Sequence, residues 1–167
     1  LSYWGISVRR RVMQTQVRRL LTAIAVLMVF WMAERTVKFL FVTDVNAMRF
    51  LWYCYYLPML LIPFLSVVAA ALLGKPENYR LPRWTKLLYL PVAALVLLVL
   101  TNDFHQQVFH FDRTSDTWSN DYTYGWGYGT VLVWTAFNFV AFFILVGRSS
   151  SFRIQRFSGT AALVLLG

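Results

Sequence analysis

Long, unbroken apolar runs separated by short charged stretches set the pattern of this chain. Four runs reach the length of about 20 residues that a helix needs to cross a hydrocarbon core: Leu20–Val42, Phe50–Leu73, Leu87–Phe109 and Gly129–Gly147. A fifth begins near Thr160, and LSYWGIS at the start reads as the tail of an earlier helix. LPVAALVLLVL and LPMLLIPFLSVVAAALLG are apolar on every face, as a lipid-embedded helix is. A membrane strand would instead alternate apolar and polar residues over about 10 positions. Pro58, Pro63 and Pro91 fit such helices because neighbouring helices satisfy the freed carbonyls, and kinks are expected near Pro58 and Pro63. The expected fold is therefore all-α: a polytopic transmembrane helix bundle with four complete spans plus parts of two others. Residues 1–167 read as a single bundle truncated at both ends, with no internal repeat and no low-complexity linker.

Composition narrows the class. Of the 167 residues, 59% are hydrophobic, 18% aromatic and 14% charged. A disordered chain is poor in aromatics and rich in charge, so disorder is excluded. A disulfide scaffold is excluded because Cys54 is the sole cysteine. Too few polar side chains remain to cover a water-soluble globule. The opening residues have no basic region followed by a cleavage site, so no signal peptide is read there. The net charge of +9, from 16 Lys and Arg against 7 Asp and Glu, would suggest nucleic acid in a soluble protein. Here the basic residues lie between apolar segments, so membrane lipid headgroups are the expected partner and nucleic acid is not.

The basic residues also set a topology. Arg9, Arg10, Arg11, Arg18 and Arg19 precede the first full span, Lys75, Arg80, Arg83 and Lys86 follow the second, and Arg148, Arg153 and Arg156 follow the fourth. An even number of spans separates these stretches, so all three are expected on one side, the cytoplasmic side of a bacterial inner membrane. The opposite side receives VTDVNAMR and HFDRTSDTWSNDYTYGWGY, where Asp44, Asp112, Asp116 and Asp121 outnumber Arg49 and Arg113. A helix preceding Arg9 would enter from outside, and one helix beyond Thr160 would complete seven.

Ionisable groups inside a membrane helix are costly, so each is a candidate functional residue. Glu34, Arg35 and Lys38 lie roughly 20–27 Å from the cytoplasmic end of the first full helix, at 1.5 Å per residue. Asn102, Asp103 and His105 lie at similar depth in the third, and Trp52, Tyr53, Tyr55 and Tyr56 in the outward end of the second. Thr135 and Asn138 lie near the middle of the fourth, and the loop string YTYGWGYG adds further aromatics. Polar groups of several helices thus converge on the outer third of the bundle, as a pocket open to the outside requires. The candidate ligand-binding residues are Arg35, Lys38, Trp52, Tyr53, Tyr56, Asn102, Asp103, His105, Trp126, Tyr128 and Asn138. Arg35 and Lys38 suit an anionic group, Asp103 and His105 a cationic or hydrogen-bonding one, and the aromatics supply stacking faces.

Each candidate also has a plainer reading. Glu34 and Lys38 are spaced to pair with each other, Arg35 and Lys38 to snorkel to headgroups, Trp52, Tyr53 and Trp126 to form an interfacial belt, and Asn102 and Asp103 to bridge helices. His105 and His110 fall on different helix faces with no HExxH or CxxC pattern, so no metal is expected. Ser66 lacks the context of a nucleophile, and there is no phosphate-cradling loop, so neither catalysis nor a cofactor is expected.

With helices and loops placed, Leu51–Phe109 closely resembles the N-terminal seven-transmembrane sensor region of bacterial histidine kinases. The resemblance is carried by the aromatic run before Pro58, the GKPE–YRLP–W segment and the LTND-F-HQ-VF string. YGWGY ahead of a later helix and RRR…QVRR ahead of the first full one also fit. It covers nearly the whole chain, from the end of the family's first helix into its sixth. It implies a receptor for an extracytoplasmic small ligand in two-component signal transduction. A cytoplasmic transmitter would follow the last helix, phosphorylate itself on histidine, pass the phosphate to a response regulator and act as a homodimer. His105 and His110 lie on the wrong side to be that phosphoacceptor. The competing class is a fragment of a multi-pass transporter or channel, whose polar residues would continue through to the arginine-rich side.

Overall fold

The computed structural model describes residues 15–73, 75, 76, 79, 81–111 and 122–165, with side chains through residue 149 apart from Trp84. The expected helix tail at LSYWGIS, Arg9, Arg10 and Arg11, and the acidic connection 112–121 lie outside the described residues. The elements in chain order are α1 (Thr15–Leu40), α2 (Val45–Cys54), α3 (Tyr56–Leu72), a 3-10 helix (Arg83–Leu88), α4 (Tyr89–Leu100), α5 (Asn102–His105), β1 (Phe109–Phe111), β2 (Tyr122–Tyr124) and α6 (Trp126–Leu165).

Among the described residues, three helical stretches are long and apolar enough to cross a membrane: Thr15–Leu40, Val45–Leu72 and Trp126–Ser149. The second is broken at Tyr55 into α2 and α3. Pro58 explains the break: it has no N–H for the carbonyl of Cys54, four residues back, and its ring crowds that carbonyl. Pro63, expected as a kink, sits inside α3 without ending it. Asp44 starts α2 by accepting a 2.8 Å hydrogen bond from the amide of Ala47. Thr22, Thr36 and Ser66 return their hydroxyl hydrogens to carbonyls one turn earlier, so none presents an unsatisfied donor to lipid.

Four complete spans were expected, and two of the boundaries change. Leu87–Phe109 is not one helix. The apolar stretch Thr85–Leu100 is shorter than the other three, and the chain then turns through α5 and enters a strand at Phe109. Pro91 lies in the first turn of α4, where its missing N–H is not needed, and the residues before it form the tighter 3-10 helix. The second change is at 148–159, expected as a loop. The backbone there remains helical, and α6 continues to Leu165. No proline interrupts it, and Gly159 costs a helix only about 1 kcal/mol.

α3 is the central element. It packs against α1, α4 and α6, and Tyr56, Pro58, Leu60, Pro63, Phe64, Ala69, Ala70 and Leu72 are buried along it. Ala69 and Ala70 let backbones approach closely where no large side chain separates them. By contrast α1 buries only Val17, Glu34 and Lys38 and exposes an apolar surface from Val26 to Leu40, as a lipid-facing helix does.

At one end of the bundle β1 and β2 pair antiparallel, with Phe109 opposite Tyr124 and Phe111 opposite Tyr122. The turn into α6 is tied to the end of α5. The amides of Gly125 and Gly127 donate to the carbonyls of Val108 (2.9 Å) and Gln107 (3.0 Å). A Cβ at Gly125 would stand 2.1 Å from the Gln107 carbonyl oxygen, so the contact requires glycine. At Gly129 nothing lies within 4 Å. Gly125→Ala is therefore expected to lower the thermal unfolding midpoint of the purified protein, with a cost of about 1–3 kcal/mol typical of forced overpacking. Gly129→Ala, measured in parallel, is expected to leave the midpoint unchanged or raise it.

Candidate functional site

α4 ends where Thr101 and Asn102 follow its last apolar residue. The Asn102 side chain is fully buried and makes four hydrogen bonds. Its Oδ1 accepts from the amides of Val108 (2.9 Å) and Phe109 (3.1 Å). Its Nδ2 donates to the carbonyl of Phe109 (2.8 Å) and the hydroxyl of Tyr53 (3.2 Å). One amide thus satisfies the backbone of the returning chain and joins it to α2. Between these anchor points Gln106 takes a left-handed conformation, φ 50°, with its amide 2.7 Å from the Asn102 carbonyl. The amide of Gln107 donates to His105 Nδ1 at 3.0 Å, which makes Nδ1 the unprotonated nitrogen. His105 Nε2 then faces Thr101 Oγ1 at 3.3 Å.

Tyr53 extends the network to charge. Its hydroxyl donates to Asp103 Oδ1 at 2.7 Å, and Arg49 Nη1 lies 3.7 Å from the same oxygen. The Asp103 side chain is 48% exposed and that of Arg49 13%. The guanidinium also lies 5.6 Å from the centre of the Phe111 ring.

Above Asn102 lies an aromatic cluster with Phe109 at its centre. Phe109 is fully buried and has seven rings around it at 5.2–6.5 Å between centroids: Trp52, Tyr53, Tyr56, Phe111, Tyr122, Tyr124 and Tyr128. Tyr53 stacks on it with planes 10° apart, and Tyr122 meets it edge-on. Tyr124 and Tyr128 stack at 4.1 Å. Burial among these rings, with the Tyr124 hydroxyl alongside, pushes the Tyr122 phenol up to about 12, so it remains neutral at physiological pH.

A second polar group lies on the α1 side. The ammonium of Lys38 is 4.8 Å from the ring centre of Trp52 and 5.4 Å from that of Tyr55. Glu34, one turn earlier, is buried with it.

The structure therefore brings together Tyr53, Tyr56, Asn102, Asp103 and Tyr128 around Phe109, places His105 in the adjoining turn, and sets Lys38 against Trp52 at the cluster's edge. It does not bring in three others. Arg35 is exposed, although it adjoins the buried Glu34 in sequence and lies three residues before the buried Lys38. Trp126 is 63% exposed. Asn138 is buried part-way down α6, with its Nδ2 donating to the Trp134 carbonyl of its own helix at 2.8 Å. Sequence reasoning missed Phe109, Phe111 and Arg49. The first was read as the end of a span and the last as a loop charge. The short alternations FHF and YTY, each strand-like with period two, were the signal available for the hairpin.

Asn102→Ala is expected to destabilise the protein by about 3 kcal/mol or more, since each bond contributes about 1 kcal/mol and the amides of Val108 and Phe109 lose their partner. Tyr53→Phe keeps the ring and is expected to cost about 1 kcal/mol. Thermal denaturation in micelles checks both, and equal midpoints for the two variants would contradict this ranking.

Neither a curated protein nor a solved structure matches the chain. A family model does, the N-terminal 7TM region of histidine kinase, over residues 1–167. The match spans the whole chain, which therefore belongs to the family of N-terminal seven-transmembrane regions of histidine kinases.

Proposed function

We propose that this region is the membrane-embedded sensor of a bacterial two-component histidine kinase. It binds a small extracytoplasmic ligand at the hairpin end and transmits a helix rearrangement to a cytoplasmic kinase. The observation that carries the reading is the uneven placement of polar groups in a member of this family. Among the described residues, the buried polar or charged ones are Glu34, Lys38, Asn102 and Asn138. The first three gather at the hairpin end, and Asn138 sits about half-way along the apolar stretch Trp126–Ser149 of α6. The other half of the core is apolar, built on Leu60, Phe64, Ala69, Ala70, Leu72 and Val92. A polar end closed off by an apolar one suits a receptor better than a conduit.

Lys75, Arg83 and Lys86 at the far end support a cytoplasmic position for that end, by the usual charge bias. The hairpin then faces outward, in a bacterial inner membrane. Arg49 and Asp103 are the charged pair most open to an arriving ligand, with Tyr53, Tyr56 and Tyr128 behind them. A ligand does work on the cytoplasmic side only by binding one packing of the bundle better than another. α3, which touches α1, α4 and α6, and the break at Tyr55 are where such a difference would be felt. The response regulator and the homodimer belong to the full-length kinase.

Autophosphorylation of the full-length protein in vesicles tests the reading. Asp103→Ala and Arg49→Ala are each expected to shift the ligand concentration at half-response by about ten-fold, the loss of one charge-assisted contact of about 1.4 kcal/mol. An unchanged response in both variants would remove this pair from the site.

A further inference from the structure

The α1–α2 side of the hairpin end holds groups whose hydrogen-bonding capacity the fold leaves unused. Glu34 is 5% exposed, and both of its carboxylate oxygens are buried without a hydrogen-bond partner among the described residues. The hydroxyl of Tyr55 is buried in the same condition. Buried polar groups are almost always paired, so two unpaired ones, Glu34 on α1 and Tyr55 at the break between α2 and α3, call for an explanation, and a binding site is one. Beside them stand the faces of Trp52 and Tyr55, which are T-shaped to each other at 5.6 Å. A carboxylate and a hydroxyl next to aromatic faces are the groups that recognise an organic ammonium. The rings attract its charge, and the oxygens take its N–H hydrogens.

The chain already puts an alkylammonium against this surface. Lys38, 3% exposed, lies over Trp52, Tyr55 and Phe39. It is two residues from the end of α1, so its long stem can carry the charge out to the headgroups. Two cations do not share so small a space, so a ligand that takes the place must send Lys38 outward.

We propose that Glu34, Tyr55 and Trp52 form a binding site for a small protonated primary amine, with Lys38 as a tethered competitor. The incoming ammonium donates to Glu34 and Tyr55 and rests on Trp52. Lys38 withdraws, and the contact of α1 with α2 changes. This deepens the sensor reading and rests on it only for the signalling consequence; the binding stands by itself.

The test titrates n-butylammonium into the full-length protein in vesicles at constant ionic strength. 1-Butanol serves as the uncharged control, and the readout is tryptophan fluorescence with the thermal midpoint. Butylammonium is expected to bind and 1-butanol not. Lys38→Met is expected to tighten binding at least ten-fold, Tyr55→Phe to weaken it several-fold, and Glu34→Gln to abolish it. Equal responses to the amine and the alcohol would overturn the proposal, as would unchanged or weaker binding by Lys38→Met. If Glu34→Gln does not fold, Lys38→Met against wild type decides alone. Autophosphorylation measured in the same vesicles separates the two levels. Lys38-dependent binding without a change in phosphorylation supports the site and contradicts its coupling to the kinase.

Discussion

A helix that stops inside a bundle and turns back toward it must leave its last carbonyls, and the amides of the returning chain, with partners. In lipid no water is available to supply them, and each unsatisfied group costs several kcal/mol. Here that requirement falls on Asn102. Its side chain has two acceptor lone pairs and two donor hydrogens, and both ends are used within a few ångströms, on Val108, Phe109 and Tyr53. Aspartate in its place would keep the acceptors and lose the donors. The hairpin, its seat against α2 and the start of α6 all follow from that one amide.

Because Asn102 fixes the backbone of Phe109, it also fixes where the ring goes. Rings from α2, α3, the hairpin and α6 close around it. Edge-on and offset contacts of this kind add about 0.5–1.5 kcal/mol per pair beyond burial. The cluster therefore ties the end of α4 to the start of α6 across the end of the bundle, and the glycines at 125 and 127 let the backbones meet closely enough for it. Arg49 and Asp103 stand at its open edge, so a change in their pairing reaches Tyr53 and, through it, Asn102.

Much of this was legible in the residues. Apolar runs of sufficient length located α1, the α2–α3 stretch and α6, and the depth of Tyr53, Tyr56, Asn102 and Asp103 along their helices placed them at a common end. What hydropathy does not encode is where an apolar run ceases to be helical. The polar run from Thr101 to Gln107 is the hint between Leu87 and Phe109, and the strand at Phe109 is set by hydrogen bonds to Asn102 as well as by the short alternation FHF. Nor does it encode the direction a helical residue faces. Arg35 and Lys38 are three positions apart and were read as a pair. Yet Lys38 is buried with Glu34 while Arg35 is exposed. The region 148–159 misled for the opposite reason: charge ends a membrane span without ending a helix.

Hydrogen–deuterium exchange at single-residue resolution on the amides of Val108 and Phe109 tests the central role of Asn102 most directly. Protection at both amides comparable to the interior of α3, lost in Asn102→Ala, which removes the acceptor of both, while α3 stays protected, is the result this account predicts. Fast exchange at Val108 and Phe109 in the wild-type protein would contradict it.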